Sequence, residues 1–101
     1  MQTNDIVNAV RITDNGYEVT HTGECMRQDV HAYELKKYGE EHADRAAVYV
    51  PDVTADIKKG DYIIFGELPQ ELSVENALTA QSVAVNDYGS EDMRHIRIGV
   101  I

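Results

Sequence analysis

Short runs of β-branched and aromatic residues, each cut off by a turn signal before it can lengthen, leave this chain few folds to choose from. Ile6, Val10 and Ile12 alternate with Val7, Ala9 and Arg11, which predicts a strand with both faces partly covered. The run stops at Asp14-Asn15-Gly16, a triplet that tolerates positive φ and turns the chain back into Tyr17 to Thr22. There Tyr17, Val19 and His21 are expected on one face and Glu18, Thr20 and Thr22 on the other. The chain therefore opens on a β-hairpin.

Gly23 separates that hairpin from Cys25 to Leu35, where β-formers such as Val30 and Tyr33 mix with Gln28, Asp29 and Glu34, so that either a strand or a helix fits. Lys36, Lys37, Glu40, Glu41, Asp44 and Arg45 surround Gly39, too charged and interrupted for a core, and predict an exposed loop over 36–45. Ala46 to Val50 reads as a short strand closed by Pro51, which cannot donate to a ladder. Lys58-Lys59-Gly60-Asp61 turns the chain into Tyr62-Ile63-Ile64-Phe65, apolar on both faces and the expected centre of the core, ended by Gly66. Val74, Ala77, Leu78 and Gln81 recur at helical spacing behind Ser73, an N-cap residue, and predict one short helix over Leu72 to Gln81. Ser82 to Asn86 is a strand, Asp87 to Asp92 a turn, and Met93 to Ile101 a last strand with Ile96, Ile98 and Val100 on one face and His95 and Arg97 on the other.

This order lacks the strand and helix alternation of a doubly wound fold. It predicts an all-β chain with one short helix, built as a small β-barrel or rolled antiparallel sheet. With 101 residues and 43% hydrophobic content, one domain over 1–101 is expected, because a second core would leave each half too little apolar area to offset ordering entropy.

Nine basic against eighteen acidic side chains give a formal charge of -9, and a field of that sign repels phosphates. Tight nucleic-acid binding is not expected. A single cysteine, Cys25, excludes an intrachain disulfide, and no stretch approaches the roughly 20 apolar residues of a membrane span, so neither a signal peptide nor a membrane anchor is expected. The motifs of common chemistries, G-x-S-x-G, C-x-x-C, H-E-x-x-H and the P-loop, are missing, and the glycines at 39, 60, 66 and 89 are too scattered to cradle phosphate. His21, Cys25, His31, His42 and His95 are of the types that bind zinc, but without the paired spacing such sites need. Glu40-Glu41 and Glu91-Asp92 fall in expected loops where nothing would tune them as acid and base. No enzyme, metal or cofactor is expected.

Gly39 through Pro51, Lys59 through Glu67, and Val85 through Ser90 with Met93 through His95 are three blocks that resemble a family of minor capsid or head-tail joining proteins from phages and prophages of Gram-positive bacteria. Gly39 through Pro51, with Ala43-Asp44 and then Val48-Tyr49-Val50-Pro51, is similar to the family's loop and short strand ending in proline. Lys59-Gly60-Asp61-Tyr62-Ile63-Ile64-Phe65-Gly66-Glu67 is similar to its G-D-x-I-x-x-G strand, and Val85-Asn86-Asp87-Tyr88-Gly89-Ser90 with Met93-Arg94-His95 to its terminal pattern. The tryptophan common before the loop in that family has no counterpart here. The resemblance implies a β-barrel subunit of the virion, present in the host cytoplasm during assembly, that completes the head after DNA packaging. It implies an adaptor or stopper in a homo-oligomeric ring with portal and tail proteins as partners, a role compatible with a monomer in isolation. An acidic lining suits a channel through which DNA slides. Lys36, Lys37, Glu40, Glu41, Asp44 and Arg45, in a mobile loop that orders on assembly, together with His95 and Arg97, are the expected assembly contacts. The competing expectation is a small acidic regulatory or inhibitor protein that binds one host or phage protein through an exposed strand edge.

Overall fold

The computed structural model describes residues 2–29, 45–75, 77–90 and 93–101. Six strands are present: β1 (Asp5–Thr13), β2 (Gly16–Asp29), β3 (Ala46–Val50), β4 (Tyr62–Phe65), β5 (Leu78–Asn86) and β6 (His95–Val100). They close into a barrel in the order β1-β2-β3-β6-β5-β4, every neighbouring pair antiparallel. Two three-stranded meanders, β1-β2-β3 and β4-β5-β6, thus meet along two seams, β1 with β4 and β3 with β6. The all-β antiparallel barrel expected from the turn spacing is what forms.

The barrel interior holds Val7, Ala9, Cys25, Ala46, Val48, Val50, Ile63, Ala80, Ile96, Ile98 and Val100, all essentially inaccessible to solvent. Each buried valine or isoleucine contributes roughly 1.5–3 kcal/mol, so these side chains are the main favourable term. The weight of this core lies in β3 and β6. In β4, Ile63 is fully buried while Tyr62, Ile64 and Phe65 are half-buried, so that strand contributes a single fully buried side chain to the core it was expected to centre. The polar and apolar faces of β6 fall as the alternation requires, with Ile96, Ile98 and Val100 inside and His95 and Arg97 outside.

The opening hairpin turns at Asp14-Asn15-Gly16, where Gly16 takes φ 119° and Asn15 keeps an ordinary φ. Beyond it a β-bulge intervenes: Val10 pairs with Val19 but Ala9 pairs with His21, so Thr20 is the extra residue. Cross-strand partners share a face, and one extra residue exchanges the faces. Val19 therefore lies outside with Val10, and His21 on the core side with Ala9, instead of together as the alternation predicts. Nor does Gly23 end a strand, since β2 runs through it to Asp29. A Cβ there would stand 3.0 Å from His21 Nε2, so the glycine makes room for the imidazole. Residues 30–35 of the expected Cys25 to Leu35 element lie outside the described residues.

The short helix expected over Leu72 to Gln81 is replaced by a local turn and the start of β5. Ser73 Oγ accepts from the Glu75 amide at 3.4 Å, and the Ala77 amide donates to the Val74 carbonyl at 3.2 Å. A helix this short is marginal in water, whereas β5 gains ladders on two sides and β-branched side chains at Thr79, Val83 and Val85.

Candidate functional site

Where β1 finishes, the barrel is closed by an ionic clamp. Arg11 Nε and Nη2 donate to Asp61 Oδ1 and Oδ2 at 3.0 and 2.9 Å, and Nη1 and Nη2 donate to Asp56 at 3.3 Å each. Asp61 is 4% exposed and also accepts the Lys58 amide at 2.8 Å, so its buried charge is fully engaged. These hydrogen bonds raise the Arg11 pKa and hold the Asp56 carboxyl below its usual range. The clamp ties the β3–β4 connection over the barrel mouth, where Ile57 is buried against the core.

Where β1 starts, Arg27 lies 4.1 Å from the centre of the Phe65 ring, donates to Asp29 at 2.9 Å and pairs with Asp5 at 3.5 Å. Asn4 braces the same strand, accepting the Arg27 amide at 2.7 Å and donating to the Arg27 carbonyl at 3.0 Å. Beneath lies Cys25, whose thiol is pushed up to about 11 by burial and then by Asp5, against a smaller opposing effect of Arg27. It is a packed residue and a poor nucleophile.

Two more polar side chains are set into the wall. Asn8 is buried on the outer face of β1, donating to the carbonyls of Ile64 and Gly66 at 2.9 and 2.7 Å and accepting from Thr22 at 2.9 Å. His21 Nε2 is buried with no hydrogen-bond partner among the described residues. Asp52 nearby has its pKa lowered chiefly by Thr54, which donates to it through both hydroxyl and amide, with a smaller effect of His21. Among the described residues, no group of three or more His, Cys, Asp or Glu side chains stands where it could hold a metal ion.

Of the expected assembly contacts, Lys36, Lys37, Glu40, Glu41 and Asp44 lie outside the described residues. Arg45 is exposed at a bend and its amide donates to the Val100 carbonyl at 2.7 Å. His95 stands at the opposite end of β6, so Arg45 and His95 are not brought together. His95 Nδ1 donates to the Met93 carbonyl at 2.9 Å, Nε2 faces the Asn86 amide at 3.0 Å, and the ring meets Tyr49 edge-on at 5.6 Å between centres. It fastens the β5–β6 turn to the wall. Arg97 is half-buried on the same outer face, opposite Tyr49 and Ala84. In the Gly89-Ser90 turn Gly89 takes φ 88°, and it is the Ser90 carbonyl that accepts the Met93 amide at 2.9 Å.

Apolar surface concentrates at the hairpin ends. Ile12, Tyr17 and Val19 are exposed on the outer face of β1 and β2, and Val85, Tyr88 and Met93 around the β5–β6 turn. Because β3 pairs with β2 only from Met26 to Asp29, the stretch from Tyr17 to Glu24 has β1 on one side and no strand among the described residues on the other. Two apolar clefts of about 380 and 330 Å³ flank the segment after β4.

These features define a small closed antiparallel barrel whose buried Asp61 closes one end and whose buried Asn8 ties β1 to the end of β4, and whose exposed surface carries apolar patches on an acidic chain. The chain belongs to DUF6751, a family of unknown function whose pattern matches residues 6–100. No curated protein and no solved structure matches it.

Proposed function

We propose that this chain is a non-enzymatic structural subunit of a tailed phage or prophage virion, assembling side by side into a ring at the head-tail junction. The observation that carries the reading is the pair of hairpin ends on an otherwise closed barrel, with Ile12, Tyr17 and Val19 exposed on one and Val85, Tyr88 and Met93 on the other. Two separate apolar patches on one subunit suit head-to-tail contacts that close into a ring. The charge of -9 suits a lumen that repels phosphates and lets a duplex slide, and the three sequence blocks that resemble head-tail joining proteins point the same way. The clamped carboxylates of Asp56 and Asp61 are already engaged by Arg11, which disfavours them as acid or base.

The side of β2 from Tyr17 to Glu24, which no strand among the described residues covers, favours a second reading, a small acidic protein that captures a strand of one host or phage protein. Quantitative mass spectrometry of particles induced from a strain carrying the gene separates the two. The ring reading expects a fixed, ring-like copy number in filled heads and whole particles; absence from every particle would remove it and leave the soluble binder.

A further inference from the structure

Residues 66–75 form a strap between β4 and β5 that has an apolar cleft on each side. The larger is lined by Ile63, Ile64, Phe65, Pro69, Ala77 and Leu78, with the Ser73 hydroxyl as its polar group. The smaller is lined by Ile6, Gly66, Glu67 and Leu68 over the buried Asn8. Both fall in the size range of recognition pockets, roughly 300 Å³ and upward, and their walls are dominated by apolar side chains.

The strap itself carries charge of one sign. From Gly60 to Met93 the sequence contains no lysine or arginine. Pro69, Ser73 and Ala77 line the larger cleft at intervals of four residues; Glu71 and Glu75 fall between them and Glu67 two residues before Pro69, all three exposed. Arg27 touches the Phe65 ring, but its charge is already engaged by Asp5 and Asp29. An apolar floor whose lining residues are flanked in the chain by exposed carboxylates selects an occupant with an apolar side chain beside basic ones. The apolar patches offered for contact between copies, Ile12, Tyr17 and Val19 and Val85, Tyr88 and Met93, lie outside the lining of either cleft, which leaves the strap for a different protein.

We infer that the strap is a docking site for an extended basic and apolar peptide segment of a different protein, which seats a large apolar side chain in the cleft of Ile64, Phe65 and Leu78 and sets lysine or arginine against Glu67, Glu71 and Glu75. This holds for a virion subunit and for a soluble binder alike, so its failure would not touch the ring reading.

The test is a titration of the full chain, followed by backbone amide NMR, with a short synthetic peptide alternating leucine with lysine. Saturable binding is expected, with shifts centred on Ile64, Phe65, Ala77 and Leu78. Replacing lysine by glutamate in the peptide should abolish it, and replacing leucine by serine should weaken it strongly. The triple variant Glu67→Gln, Glu71→Gln, Glu75→Gln, altered only at exposed positions, should bind about tenfold more weakly at low salt. Ala77→Phe, which fills the cleft, should lose binding while keeping the thermal midpoint. Equal binding by the serine peptide, shifts away from the strap, or no saturation at all would overturn the proposal.

Discussion

The two ends of the barrel are closed with the same three charges, an arginine and two aspartates, set at different depths. Where β1 finishes, Arg11 grips Asp61 and Asp56 with paired hydrogen bonds, and the Asp61 side chain is only 5% exposed. Where β1 starts, Arg27 leans on the Phe65 ring and reaches Asp5 at 29% exposure and Asp29 at 68%. A charge that water can still reach is cheap to leave alone, whereas a buried one demands its partner. The first closure is therefore a lock and the second an adjustable contact.

The largest effect should come from breaking the lock. Arg11→Met leaves Asp61 buried and unpaired and should cost about 2–3 kcal/mol in urea unfolding, since the guanidinium itself is partly exposed. Adding Asp61→Leu should restore much of that loss; if the double variant is as weak as the single one, the clamp contributes more than charge compensation.

Next comes alkali. Below its ordinary value of 9.0 the Cys25 thiol is protonated in the folded and unfolded chain alike, and its contribution is complete. Between 9.0 and about 11 the unfolded chain gives up a proton that the folded chain keeps, so stability falls as pH rises, by about 2 kcal/mol across that window. Cys25→Ser, or a flat pH profile by circular dichroism melts, decides whether the thiol is responsible.

Arg27→Ala should cost about 1 kcal/mol, the sum of an exposed pair and a cation–π contact, and should raise the Cys25 thiol further by removing the charge that opposes Asp5. A loss as large as that of Arg11→Met would erase the distinction between the ends. The smallest effect belongs to acid. Asp56, held below its ordinary 3.8 by Arg11, contributes stability that is present above that value and lost as pH falls through its folded pKa. The acid limb of the melting profile should shrink in Asp56→Asn and in Arg11→Met, and remain in Arg27→Ala.

Much of the barrel was legible in the sequence because turns leave local marks. Asp14-Asn15-Gly16, Pro51 and Lys58-Lys59-Gly60-Asp61 each end or begin a strand where their chemistry says they should. What escaped was decided at a distance. The bulge at Thr20 and the conversion of Leu78 to Gln81 from helix to strand depend on partners in other strands, which no local spacing reveals. The clamp joins Arg11 to Asp61 across half the chain, although a lone aspartate at the head of an apolar strand, and Asn8 inside Ile6 to Val10, were signals that a polar group would be buried with partners. The strap clefts arise where Gly66, Glu67, Leu68, Pro69, Ser73 and Ala77 meet side chains of β1 and β4, and leave no pattern beyond the spacing of Glu67, Glu71 and Glu75.

The join of two meanders along two distant seams also sets the pace of folding. Neither half can complete its hydrogen bonding until the β1–β4 and β3–β6 seams form, and both require closing long stretches of chain first. Such a barrel is expected to fold slowly, over milliseconds to seconds, with both halves exposing unpaired strands while they wait. At high concentration during synthesis, a half from one copy can complete the other half of its neighbour, so an exchanged dimer is the characteristic misassembly of this architecture.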